Sequence, residues 1–166
     1  LFHYFGSKEH LLHYTAEAAM DLVQREFLDK VDFGEPDLFR RLWRITSVRF
    51  DLMARFPAIF EFLIKLATLR QPAFEAPREA LAAAYPAAFP LSEDSWYQGV
   101  DAALFKDGLD VTKTVNVVRW TFAGYAAQME KPWDTGTEPM LVHQRALKEL
   151  WDYISFFRKQ FYAPVR

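Results

Sequence analysis

Apolar residues recur three and four positions apart almost from end to end of this chain, and two-residue alternation is nearly absent. A strand turns its side chains to opposite faces every second residue, whereas a helix repeats every 3.6. The pattern therefore commits the chain to an all-α fold. Punctuation agrees: Gly is sparse, at 6 of 166 residues, and the nine Pro fall mostly where one periodic run gives way to the next. A chain of 166 residues suits one domain, or one domain with a fragment, and is long enough to bury a core.

The first run opens at Ser7, whose hydroxyl suits an N-cap, with Glu9 near the positive helix end. Its spacing predicts a helix to about residue 30, with Leu11, Leu12, Ala16, Ala19, Val23 and Phe27 on one face. Asp32-Phe33-Gly34-Glu35-Pro36 breaks the pattern, and Pro36 suits the first turn of a second helix to about residue 55. Phe39, Trp43, Thr46, Phe50 and Met53 line one stripe of it. Pro57 starts a helix to about residue 70, and Pro72 and Pro77 bracket a shorter Ala-rich stretch ending near Tyr85. The run from Ser92 to Lys106 is predicted as a further helix closed by Asp107-Gly108. Asp110 caps a long helix to about residue 130, and a final one runs from Thr137 and Pro139 to about residue 162. The short Pro132–Gly136 connection makes these last two antiparallel neighbours, half of a four-helix bundle.

Composition removes several function classes. The formal charge of −2 gives the chain as a whole no polyelectrolyte attraction for nucleic acid. Without cysteine there is no disulfide scaffold, thiolate metal site or cysteine nucleophile. The apolar stretch from Phe56 to Leu69 is interrupted by Glu61 and Lys65, and that from Ala80 to Leu91 by Pro86 and Pro90. The expectation is a cytoplasmic protein that does not enter a membrane. His10 and His13 share a helix face, but the sequence places no third ligand beside them. No Gly-rich phosphate loop, nucleophile elbow or Glu-x-x-His pair occurs. No cofactor, metal or catalytic residue is expected, and the chain is not read as an enzyme.

The segment that speaks to function is Leu1-Phe2-His3-Tyr4-Phe5-Gly6-Ser7-Lys8-Glu9-His10-Leu11-Leu12. It resembles the end of the helix-turn-helix of the TetR family of bacterial transcription regulators. There the DNA-reading helix closes on Leu-Tyr-x-(Tyr/His)-Phe, and a small residue and Ser-Lys-Glu-x-Leu-Leu open the next helix. The resemblance implies two parts: residues 1–6, the tail of a truncated DNA-binding domain, and residues 7–166, a helical effector-binding and dimerisation domain. It implies phosphate contacts from Tyr4 and Lys8, with His3 beside them; Lys8 adds charge where first-turn N–H groups already favour anions. Phe2 stands where Tyr is more usual and is left only a packing role. The base-reading residues fall upstream on this reading, so residues 1–166 alone are not expected to hold an operator.

The resemblance also implies an effector cavity among the central helices and a homodimer through the last two. Large side chains crowd those helices, and most serve as core. Positions where polar groups interrupt apolar stripes point to Trp43, Thr46, Phe50, Met53, Phe60, Trp96, Thr121 and Tyr125 as effector residues, for a small, mostly apolar or aromatic ligand. Arg49 and Arg119 suit an acidic ligand, or equally a salt bridge or solvated face. Val115, Val118, Phe122, Ala126 and Met129 mark one stripe of the penultimate helix, and Val117, Trp120 and Gly124 another. A helix apolar on two faces must bury both, one in its own subunit and one against a partner. Trp120, Gly124, Gln128, Leu147, Trp151 and Ile154 are accordingly the expected dimer contacts. The function expected is a ligand-responsive regulator in the repressor sense, with double-stranded DNA, a small effector and a second copy as partners. A helical enzyme acting on a small molecule, and a dimeric interaction module without effector, are the alternatives.

Overall fold

A computed structural model describes residues 7–68, 71–84, 94–129 and 139–164. It is all-α, with seven α-helices and no strand among the described residues. They are α1 (Lys8–Glu26), α2 (Leu38–Arg55), α3 (Pro57–Thr68), α4 (Pro72–Ala84), α5 (Asp94–Tyr97), α6 (Val111–Met129) and α7 (Pro139–Phe161). Short 3₁₀ turns at Leu28–Lys30 and Ala102–Leu104 supplement them. No described helix is long and apolar enough to cross a membrane.

Contacts divide the chain into two compact units. Unit 1 takes the described residues of Leu1–Val31 and Asp51–Ser92, unit 2 those of Asp32–Phe50 and Glu93–Arg166. In unit 1, Ser7 Oγ accepts the His10 N–H at 3.1 Å and so caps α1. Ala16, Ala19, Met20, Val23 and Phe27 are buried along one face of α1, which packs on α3 and α4. Leu66 and Leu81 complete that interior from the two partner helices. The α4 helix runs through Pro77. Pro77 stands in the second turn, where the missing N–H frees only the Ala73 carbonyl, and its ring is buried.

Unit 2 is built around Leu38, Phe39, Leu42, Phe105, Val118, Ile154 and Phe157, all buried in one cluster. The stripe expected on α2 forms one edge of its buried face. The centre of that face lies at Leu38, Leu42 and Ile45, while Trp43 and Phe50 are half-buried; the last turn of α2, with Leu52 buried and Met53 half-buried, belongs to unit 1. The helices α6 and α7 run antiparallel. Val115 and Val118 share the core with Ile154 and Phe157, and further along α6 Tyr125 donates to Glu149 Oε2 of α7 at 2.8 Å.

The predicted helix from Ser92 to Lys106 is largely absent. Its described part holds α5, a bend with Gly99 at φ +62°, the Ala102–Leu104 turn and an extended Phe105 bridged to Tyr162. A buried arginine accounts for the difference. Arg41, 1% exposed, donates through Nη1 to the carbonyls of Trp96 (3.2 Å) and Gln98, and through Nη2 to Gly99 (3.4 Å). It also donates to the Glu35 carbonyl. Carbonyls that would accept helical N–H groups are thus taken by a guanidinium, and the chain turns instead.

Candidate functional site

The outward side of α6 carries the features that bear on function. Side chains on this helix fall on three flanks. Val115 (9% exposed) and Val118 (0%) face the core of unit 2, with Phe122 packed against it. A second flank carries Thr112, Asn116 and Arg119. The third carries Val117 (43% exposed), Trp120 (64%) and Gly124, which has open space where a Cβ would be. From Asn116 to Gln128 the only charged residue is Arg119, so the third flank is solvent-facing and uncharged from Val117 onward, with Lys113 one turn before it. Isolated exposed apolar residues are common, but a tryptophan, a valine and an open glycine in helical register are not scattered singly.

On α7, Tyr153 (41% exposed) and Phe156 (55%) extend the outward aromatic surface. Tyr125 joins the two helices, its ring 6.0 Å from that of Tyr153. Burial, with the nearby Glu149 carboxylate, pushes the Tyr125 phenol above its ordinary pKa and keeps it a neutral donor. On the other side of α7, Trp151 (45% exposed) meets Trp43 edge-on, with centroids 4.5 Å apart.

The expected dimer residues therefore separate by position. Trp120, Gly124, Gln128 and Trp151 are exposed and Leu147 is half-buried, whereas Ile154 (2%) belongs to the chain's own core. Phe156 went unrecognised because it lies off the buried stripe of α7. Its adjacency to Phe157 gave little signal, since neighbouring helical residues can share one core, as Leu38 and Phe39 do.

The eight expected effector residues are divided between the two units. Trp43 and Trp96 each pack against the core of unit 2, and Thr46 is buried in that unit. Thr121 Oγ1 donates to the Val117 carbonyl at 2.9 Å, and Tyr125 is engaged with Glu149. Met53 and Phe60 belong to unit 1 and are half-buried there. No buried side-chain polar atom among the described residues lacks a partner.

A cleft of about 360 Å³ does occur in unit 2, and none of the eight lines it. Its walls are the turn at Tyr97, Gln98 and Val100 and the first turns of α6, from Val111 to Arg119. Gln98 and Asn116 carried no sequence signal, since amides occur on any helical surface. Arg119, one of the two arginines singled out for an acidic ligand, is among its lining residues.

Of the expected phosphate contacts, His3 and Tyr4 lie outside the described residues. Lys8 is exposed in the first turn of the Ser7-capped α1. His13 pairs with Glu17 at 3.3 Å, and among the described residues no three His, Asp or Glu side chains gather as a metal requires. No family model, curated protein or solved structure matches the chain.

Proposed function

We propose that this chain is the sensing and self-associating part of a DNA-binding regulator of the TetR kind. It acts as a homodimer whose DNA affinity is changed by a small, mostly apolar or aromatic effector. The observation that carries the reading is the exposed Val117–Trp120–Gly124 flank. It lies on the helix to which the resemblance assigns the subunit contact. The open glycine would let a second α6 approach closely, and Trp120 would fill the space beside it. The capped start of α1, with Lys8 facing solvent, adds support at the other end. On this reading the base-reading segment precedes Leu1. The effector can shift DNA affinity only by its preference for one of two states of the dimer.

Sedimentation velocity tests the dimer: the chain should sediment as a dimer, and Trp120→Glu as a monomer with unchanged helical circular dichroism. A monomeric parent, or a dimeric variant, removes the reading's main support. Binding of labelled duplex by the chain joined to its upstream coding sequence, weakening steeply with salt, tests the DNA half.

A second reading, a dimeric module without effector, is favoured by one observation. Thr121 and Tyr125, the polar groups expected to meet a ligand, are engaged within the chain.

A further inference from the structure

We propose that the cleft between the 97–100 turn and the first turns of α6 is a binding site for a small uncharged ligand that presents an amide edge from an apolar body. Its inner side is apolar: Val115 and Tyr97 are buried, and Val100 and Val111 half-buried. Beside Val111 and Val115 the same helix carries a polar row, Thr112 and Asn116, one turn or roughly 6 Å apart. Gln98 lines the cleft from the turn. Among the described residues, the side chains of Gln98, Thr112 and Asn116 have no partner, so their hydrogen-bonding groups are uncommitted.

The groups on offer decide the class. A side-chain amide carries an acceptor oxygen and two N–H donors, and two such amides with a hydroxyl make a set that both gives and takes hydrogen bonds. Their complement is a group with donor and acceptor side by side, as in a primary or cyclic amide. Charge selects against ions. Arg119, the one cation among the described lining residues, already has a partner within the chain. The end of α6 is closed to an anion as well: Asp110 Oδ1 accepts the Lys113 N–H at 3.0 Å, and Oδ2 pairs with Lys113 Nζ at 3.3 Å. No acidic residue lines the cleft among the described residues, so a cation finds no counter-charge there. The volume of about 360 Å³ lies at the small end of the roughly 300–1,000 Å³ range of ligand pockets, with room for one ring and its substituent.

The turn that forms the opposite wall is held in place before any ligand arrives. Arg41 takes the carbonyls of Trp96, Gln98 and Gly99, and the Asp101 N–H donates to the Pro36 carbonyl at 3.0 Å. With those carbonyls engaged, the side-chain amide of Gln98 is what the turn offers a ligand. Little ordering of the backbone remains to be done on binding, which favours even a small ligand. The site stands on the geometry of unit 2 alone and does not depend on the DNA-binding reading. It also uses different residues from the Trp120 flank.

The test is a chemical-shift titration of the ¹⁵N-labelled chain with benzamide, set against benzoate, benzylamine (a cation at neutral pH) and N,N-dimethylbenzamide. Saturable benzamide shifts should be confined to residues 97–100 and 111–119. The two ions should bind about tenfold more weakly, and N,N-dimethylbenzamide, which has lost its donors, about fivefold more weakly. Gln98→Met and Asn116→Leu keep the bulk and remove the amide. Each should weaken benzamide by about fivefold and narrow its preference over N,N-dimethylbenzamide, which a merely structural defect would leave unchanged. Scattered shifts, no shifts, an ion bound as tightly as benzamide, equal binding of the two amides, or full affinity in both variants would each overturn the assignment. The ligand comparisons use the unaltered chain and so hold whether or not a variant folds, which the dispersion of its spectrum reports.

Discussion

The two units hold themselves together by different means. In unit 1 the ion pairs are exposed: Glu26 Oε2 meets Lys30 at 2.7 Å and Arg55 at 2.6 Å, Arg55 meets Asp51, and Glu61 meets Lys65, while one part-buried link joins two helices, Arg78 Nε donating to the Leu66 carbonyl at 3.0 Å. Its interior is apolar. Unit 2 instead runs polar links through its interior and across long stretches of chain. Tyr162 Oη accepts the Leu38 N–H at 2.9 Å across 124 positions, and Arg158 donates to Asp37 Oδ2 at 2.7 Å across 121. The other oxygen of Asp37 caps α2 by accepting from the Phe39 and Arg40 N–H groups. Lys106 closes the C-terminal end of α7 by donating to the Lys159 and Gln160 carbonyls. Unit 1 should therefore tolerate the loss of any one of its exposed ion pairs, and unit 2 should not tolerate the loss of its interior links.

The sharpest way to break that contrast is Arg41→Leu. Carbonyls in four residues lose a buried donor at once, and unit 2 should lose about 3 kcal/mol or more in urea unfolding. A loss near that of a surface change would mean the turn at 96–99 does not depend on the guanidinium. Tyr162→Phe comes next. It keeps the ring against Phe39 and Phe105 but removes the acceptor for the Leu38 N–H, at a cost of about 1–2 kcal/mol by the same measurement.

Smallest is Glu26→Gln in unit 1, an exposed cluster of the kind that contributes little. Its signature is pH dependence. Hydrogen bonds from Lys30 and then Arg55 hold the Glu26 carboxyl down from the usual 4.5 to about 2. A lowered folded-state value means the contribution is complete above about 4.5 and disappears as the pH falls toward 2. Thermal midpoints of parent and variant should therefore converge on acidification across that window. A gap that persists unchanged to pH 2 would show that the carboxylate's charge is not what matters.

The same contrast explains how much of the molecule could be read in advance. Periodicity and caps are local, so α1 from Ser7, α6 after Asp110 and the inward and outward stripes of α6 follow from neighbouring residues alone. The cap at Asp110 is made as expected, its Oδ1 accepting the Lys113 N–H at 3.0 Å. What escaped was settled at a distance. Arg41 reads as a solvated helical arginine until the 96–99 carbonyls fold onto it, and those carbonyls read as helix until Arg41 takes them. Asp37 was hidden beside Pro36, which looked like the start of the helix, although the helix begins at Leu38. The cleft was illegible for the same reason. Its two walls come from segments whose junction depends on the bend at Gly99, and amides such as Gln98 and Asn116 have no periodicity to betray them.

The tie between Leu38 and Tyr162 has a consequence for biosynthesis. Unit 1 has its full complement of residues once Ser92 has emerged from the ribosome, so its hydrophobic face can close while translation continues. Unit 2 cannot close then, because α2 must wait for the far end of α7 to emerge before the Leu38 N–H and Asp37 find their partners. During that interval Leu38, Phe39 and Leu42 stand without the helix that covers them. Nascent chains stalled in the 93–150 stretch are thus the species in which chaperones should find the most to hold.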